Sequence, residues 1–134
     1  MRPDTAEQLS RLAGEDRDGP LLGPLSLDDD ALLNLARGVY MVMDPHGRWA
    51  YVGRVCSELD GNRLASRLRK EHRRETRKAL AFDKVYFLRL KPDTPCLRVE
   101  ELEGRISDHL QPYIGSRRPR PGVRARQMRR TRKG

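Results

Sequence analysis

Apolar positions in this chain gather into a few short runs separated by long polar stretches. Val39 to Met43 and Trp49 to Val52 are two such runs, split by Asp44-Pro45-His46-Gly47. Runs of this length divided by an Asp/Pro/Gly cluster predict a β-hairpin. Proline second and glycine fourth in the turn suit type I geometry. Leu64 and Leu68, with Ala65 and His72 more weakly, recur at helical intervals and predict a helix from about 63 to 80. Lys84 to Leu90 reads as a third strand, apolar at Val85, Phe87 and Leu88. Lys91-Pro92-Asp93-Thr94-Pro95 ends it, because proline cannot continue a ladder. Val99, Leu102, Ile106 and Leu110 then fall on one stripe, predicting a last helix over 97–110 whose stripe is core.

Ahead of the hairpin, Ser26 is positioned to cap a short helix over 27–36. Asp28, Asp29 and Asp30 lie in its first turn, and Leu32, Leu33 and Leu35 supply its buried face. Residues 1–25 are polar and broken by Gly14, Gly19, Pro20, Gly23 and Pro24, so a mobile lead is expected, with a helix over 5–13 as its one candidate element. These elements spell an α+β domain over 26–116, a small three-stranded antiparallel β-sheet flanked by α-helices.

Composition sharpens that picture. The 134 residues suffice for one domain, and 35% charged residues with a mean hydropathy of −0.81 leave room for only a small core. No apolar run approaches the ~18 residues a membrane span needs, and no basic-then-apolar N-terminus predicts a signal peptide. Cys56 and Cys96 are too few and too far apart to predict a zinc site or a disulfide framework. A reduced, cytoplasmic protein is the expectation. The net charge of +9 is unevenly spread: nine Arg/Lys and no acid lie between Arg117 and Lys133, leaving 19 bases to match the 19 acids elsewhere. Residues 117–134 therefore read as a disordered basic arm that follows phosphate backbones, with Arg117, Arg118 and Arg120 at its start. The alternative is a solubilising terminus with no ligand.

Two tripeptides, Gly38-Val39-Tyr40 and Tyr51-Val52-Gly53, sit on the two predicted hairpin strands. Taken alone, the tyrosines pair or pack and do no chemistry. In order after them come Leu64-Ala65-Ser66-Arg67-Leu68 on a helix, the strand 84–90, and Leu102-Glu103 on a helix that closes at Pro112. This series, over residues 37 to 116, resembles the GIY-YIG nuclease superfamily, as a small stand-alone member. Two departures stand out. No asparagine follows Pro112, where relatives commonly carry one, and Tyr113-Ile114-Gly115 spells the second tripeptide literally but too late in the chain, so it reads as a decoy.

The resemblance implies a metal-dependent endonuclease acting on nucleic acid, DNA before RNA. Glu103 would hold one Mg²⁺ or Mn²⁺, with Glu100 the fallback; a hard ion of this kind needs only one or two carboxylates. Arg67 would clamp the scissile phosphate through its planar guanidinium, with Arg63 the competing choice. Tyr40, with Tyr51 as partner, would orient or deprotonate the water. A free phenol titrates too high for that task, so nearby positive charge from Arg67 or the metal would have to lower it. His72, five residues past Arg67, is a further candidate. Phosphate contacts are expected from Arg54, which follows the second tripeptide, and from Arg63, Arg69, Lys70 and Arg73 on the basic helix. No targeting module is recognisable, so specificity falls to loops, the tail or a protein partner. The rivals are a member that grips nucleic acid without cutting, and a structural protein of a ribonucleoprotein particle.

Overall fold

The computed structural model describes residues 1–56, 63–66, 68 and 76–116 of the chain. Its elements are α1 (Pro3–Ala13), β1 (Leu22–Ser26), β2 (Gly38–Met43), β3 (Trp49–Val55), α2 (Arg63–Ser66), α3 (Thr76–Ala81), β4 (Lys84–Arg89), α4 (Cys96–Leu110) and β5 (Gly115–Ser116). Short 3₁₀ turns cover Gly14–Asp16 and Asp30–Asn34. The sheet runs β1-β4-β2-β3-β5, antiparallel except for the parallel pairing of β5 with β3.

The hairpin forms where the sequence places it. The Gly47 N–H donates to the Asp44 carbonyl (3.0 Å) and the Asp44 N–H to the Arg48 carbonyl (2.8 Å), while Gly47 takes a φ of +79°. A four-residue turn followed by a left-handed glycine inserts an extra residue, and the register shifts accordingly, from Val42↔Tyr51 to Met43↔Trp49. Tyr40 thus faces Gly53 across the ladder rather than Tyr51. At the other end Gly38, with φ +154°, allows the Leu88 carbonyl of β4 to approach where any Cβ would stand.

Two expectations about extent are corrected. The sheet has five strands, not three, because β1 adds beside β4 and β5 beside β3. The segment 1–25, expected to be a mobile lead, carries α1 and most of β1. Leu9 and Ala13 of α1 are fully buried in one core cluster with Val99, Leu102 and Ile106 of α4. Complete burial of a leucine contributes about 2 kcal/mol, and the polar average of the segment concealed that stripe. Arg98 of α4 fastens the same helix, donating to Asp16 (2.8 Å) and to the Leu12 carbonyl (3.1 Å). The helix expected over 27–36 is a 3₁₀ turn, capped by Asp29 accepting from the Ala31 N–H (2.9 Å) rather than by Ser26.

The sheet separates two cores. α1 and α4 cover one face, through Val39, Met41, Val52 and Leu88. The 3₁₀ turn at Asp30–Asn34, α2 and α3 cover the other, through Leu32, Leu64, Leu68 and Ala81 against Val42, Val85 and Phe87. β2 and β4 are buried on both faces. A disulfide joins Cys56, just past β3, to Cys96, the first residue of α4, with Cα atoms 5.8 Å apart. The expectation of reduced cysteines is corrected here: 40 residues of separation hid a contact that the docking of α4 on β3 creates.

Candidate functional site

Along β3 side chains alternate between the faces. Tyr51, Gly53 and Val55 look toward the α2/α3 core; Val52, Arg54 and Cys56 look toward α4. The expected site residues are divided by this alternation.

On the α2/α3 face, the Tyr40 ring lies across Gly53. A Cβ on Gly53 would overlap the ring's Cζ and hydroxyl, so glycine is the residue that lets the ring lie flat there. Tyr51, two residues earlier on the same strand, stands with its ring centroid 6.2 Å from that of Tyr40, tilted by 35°. Tyr40 is fully buried and Tyr51 only 6% exposed. The positive charge described beside the pair comes from α3: Lys78 Nζ sits 4.6 Å from the Tyr51 ring centroid.

On the α4 face, Arg54 bridges two carboxylates. Its Nη1 donates to Glu103 Oε1 (3.1 Å) and its Nη2 to Glu100 Oε1 (2.9 Å). Glu103 is fully buried in the α4–β3 seam, while Glu100 is 35% exposed at its rim. A buried carboxylate survives only when paired, and Arg54 supplies the partner across 49 residues of sequence. Arg54, expected on phosphate, binds both carboxylates here, one positive charge against two negative. The Cys56–Cys96 bridge closes the same seam.

Tyr40 and Tyr51 are thus brought together, as are Arg54, Glu100 and Glu103, but the two groups lie back to back across β3. Arg63 opens α2. Its side chain, together with Arg67, Arg69, Lys70, His72, Arg73, Arg117, Arg118 and Arg120, lies outside the described residues.

A third cluster escaped the sequence reading. Tyr113 and Ile114 run alongside β3 into β5, their N–H groups donating to the carbonyls of Trp49 (3.2 Å) and Ala50 (3.0 Å). Tyr113 donates its hydroxyl to Asp44 Oδ2 (2.9 Å) in the hairpin turn. Arg48 and Arg77 lie over its ring, 5.2 and 6.0 Å from the centroid. Burial works against charge on Asp44, but the Arg48 N–H, the Tyr113 hydroxyl, the His46 N–H and the Arg48 guanidinium outweigh it and hold the carboxyl at about 2. Burial, followed by the hydrogen bond to Asp44 and its charge, raises Tyr113 above its ordinary value. The available signal was the tripeptide set aside as a decoy: it leads into β5, whose Gly115–Ser116 pair with Tyr51–Val52 outside the hairpin.

No protein-family model, curated protein or solved structure matches the chain.

Proposed function

We propose that the chain is a divalent-metal-dependent endonuclease of GIY-YIG type that hydrolyses phosphodiester bonds in nucleic acid, DNA in the first instance. The observation that carries the reading is the interlock of the two tripeptides: Tyr40 lies on the glycine of the second, beside the tyrosine of the second.

The implied ion fits the donors present. Glu103 and Glu100 project toward one guanidinium from neighbouring turns of α4 and offer carboxylate oxygens, the ligand type of Mg²⁺ and Mn²⁺. Among the described residues no group of three or more His, Cys, Asp or Glu is assembled, so most of the ion's ligands would be water. When bound, the metal supplies charge neutralisation on the phosphate oxygens and on the leaving oxygen. Arg54 holds the two carboxylates in place and offsets one of their two charges. Arg67 binds the scissile phosphate in this reading. Tyr40 and Tyr51 orient the water, and Lys78 places its charge over the Tyr51 ring.

The back-to-back placement of tyrosines and Glu103 favours a second reading, a member that grips nucleic acid without cutting it. Cleavage of supercoiled plasmid, single-stranded DNA and structured RNA by purified protein, in Mg²⁺, Mn²⁺ or chelator, separates the two. Metal-dependent cutting abolished by Glu103→Gln, with oligonucleotide affinity kept, supports the nuclease. Binding without cutting in any metal overturns it in favour of the second reading. The location proposed with either activity is the cytoplasm. The Cys56–Cys96 bridge stands against that, since such bridges persist in oxidising compartments; thiol labelling of protein drawn from intact cells decides the point.

A further inference from the structure

We propose that the corner where Tyr113 meets the hairpin turn is a second nucleic-acid contact, a phosphodiester clamp formed by Arg48 and Arg77 on the Tyr113 ring. The proposal rests on the nucleic-acid reading above but uses none of its catalytic residues.

Three elements converge there: the hairpin turn through Asp44 and Arg48, α3 through Arg77, and the chain leaving α4 through Tyr113. Each arginine is partly committed in a way that fixes its direction. Arg48 gives its Nε to Asp44 Oδ2 at 3.1 Å, yet its side chain is 68% exposed, and its two Nη groups meet no acceptor among the described residues. Arg77 gives Nη2 to the Tyr113 carbonyl at 3.4 Å, a long bond, and is otherwise exposed. Tyr113 is itself 41% exposed, its ring a shelf that both guanidiniums share. Guanidiniums held on an aromatic ring lose less freedom when they engage a ligand, and their planar forks match phosphate.

Charge complementarity selects the occupant. The acid at this corner, Asp44, is 3% exposed and is already engaged by the Tyr113 hydroxyl and Arg48, so it positions the clamp and presents little charge outward. Lys78 lies one residue past Arg77, and the nine bases of 117–133 begin directly after β5. Two guanidiniums with donors free among the described residues over one exposed ring, and no outward acid on the cluster they form with Asp44, select a ligand with repeated phosphates, and a nucleic-acid strand is that ligand.

The test is binding of a labelled single-stranded oligonucleotide and of a duplex by the full chain in chelator, over a range of salt, by fluorescence anisotropy. Arg48→Gln with Arg77→Gln is expected to weaken binding about tenfold and to lower the salt slope by about 1.4 on single strands, at roughly 0.7 for each phosphate no longer neutralised. Arg77→Gln alone, which leaves Asp44 its partners, is expected to give about half that change in slope. An unchanged slope in Arg77→Gln overturns the proposal, as does parent protein that binds anionic vesicles but neither oligonucleotide. Because the assay excludes metal, loss of cleavage with an intact clamp would count against the nuclease alone, and loss of the clamp with intact cleavage against this proposal alone.

Discussion

The two faces of the sheet hold their polar groups by different means. On the α2/α3 face two tyrosine rings are packed against glycine, phenylalanine and leucine, and the Tyr40 ring lies on Gly53 of the same hairpin. On the α4 face a buried carboxylate is held by charge, through one arginine and across 49 residues. The first arrangement resists any added volume. The second tolerates small shifts and resists removal of a partner.

Breaking the seam on the α4 face is expected to have the largest effect. Reduction of Cys56–Cys96 frees a loop of 40 residues and should cost on the order of 4 kcal/mol in the chain-entropy account, read as a shift of the urea midpoint with and without reductant. Next comes Arg54→Ala, which strips Glu103 of its guanidinium inside the core and should destabilise by about 3 kcal/mol. Arg54→Lys should recover part of this, and equal stability of Arg54→Ala and parent would show that the pair carries no weight. On the opposite face, Gly53→Ala drives a Cβ into the buried Tyr40 ring and should cost about 2 kcal/mol. The double variant Gly53→Ala/Tyr40→Leu should recover most of it, which charge-based packing would not allow.

The smallest effect lies at the corner beyond both faces. Asp44 has a folded value of about 2 against an ordinary 3.8, so its contribution is present above about pH 4 and is lost as pH falls toward 2. Melting temperature should fall across that window. Tyr113→Phe removes one of the bonds that depress the value, so its decline should begin at the same pH, set by the unfolded carboxyl, but end at higher pH and be smaller in total. Superimposable profiles would show that the Tyr113 hydroxyl does not engage Asp44.

How much of this was legible follows from distance along the chain. The hairpin, its turn, β4 and the buried stripe of α4 are local patterns, and each appears where period and breakers put it. α1 was legible as a candidate helix but not as part of the fold, because a stripe of Leu9 and Ala13 gains meaning only once α4 lies beside it. Glu103 was singled out by resemblance, whereas its partnership with Arg54 and Glu100 had no signal in either segment. The late tripeptide was correctly placed outside the hairpin, and its strand character was passed over because Gly115–Ser116 is too short to show a period.

By itself the sequence determined the hairpin and its turn, β4, the stripe of α4, their order along the chain, and the charge asymmetry between residues 1–116 and 117–134. These depend on neighbours within a few residues and on backbone sterics. Tertiary structure alone decided which face of β3 each side chain joins, that Cys56 meets Cys96, that Arg54 is spent on two carboxylates, and that Tyr113 gathers two arginines. Those contacts arise from the two-residue alternation of one strand combined with the docking of distant helices on either side of it, and no local pattern encodes that docking.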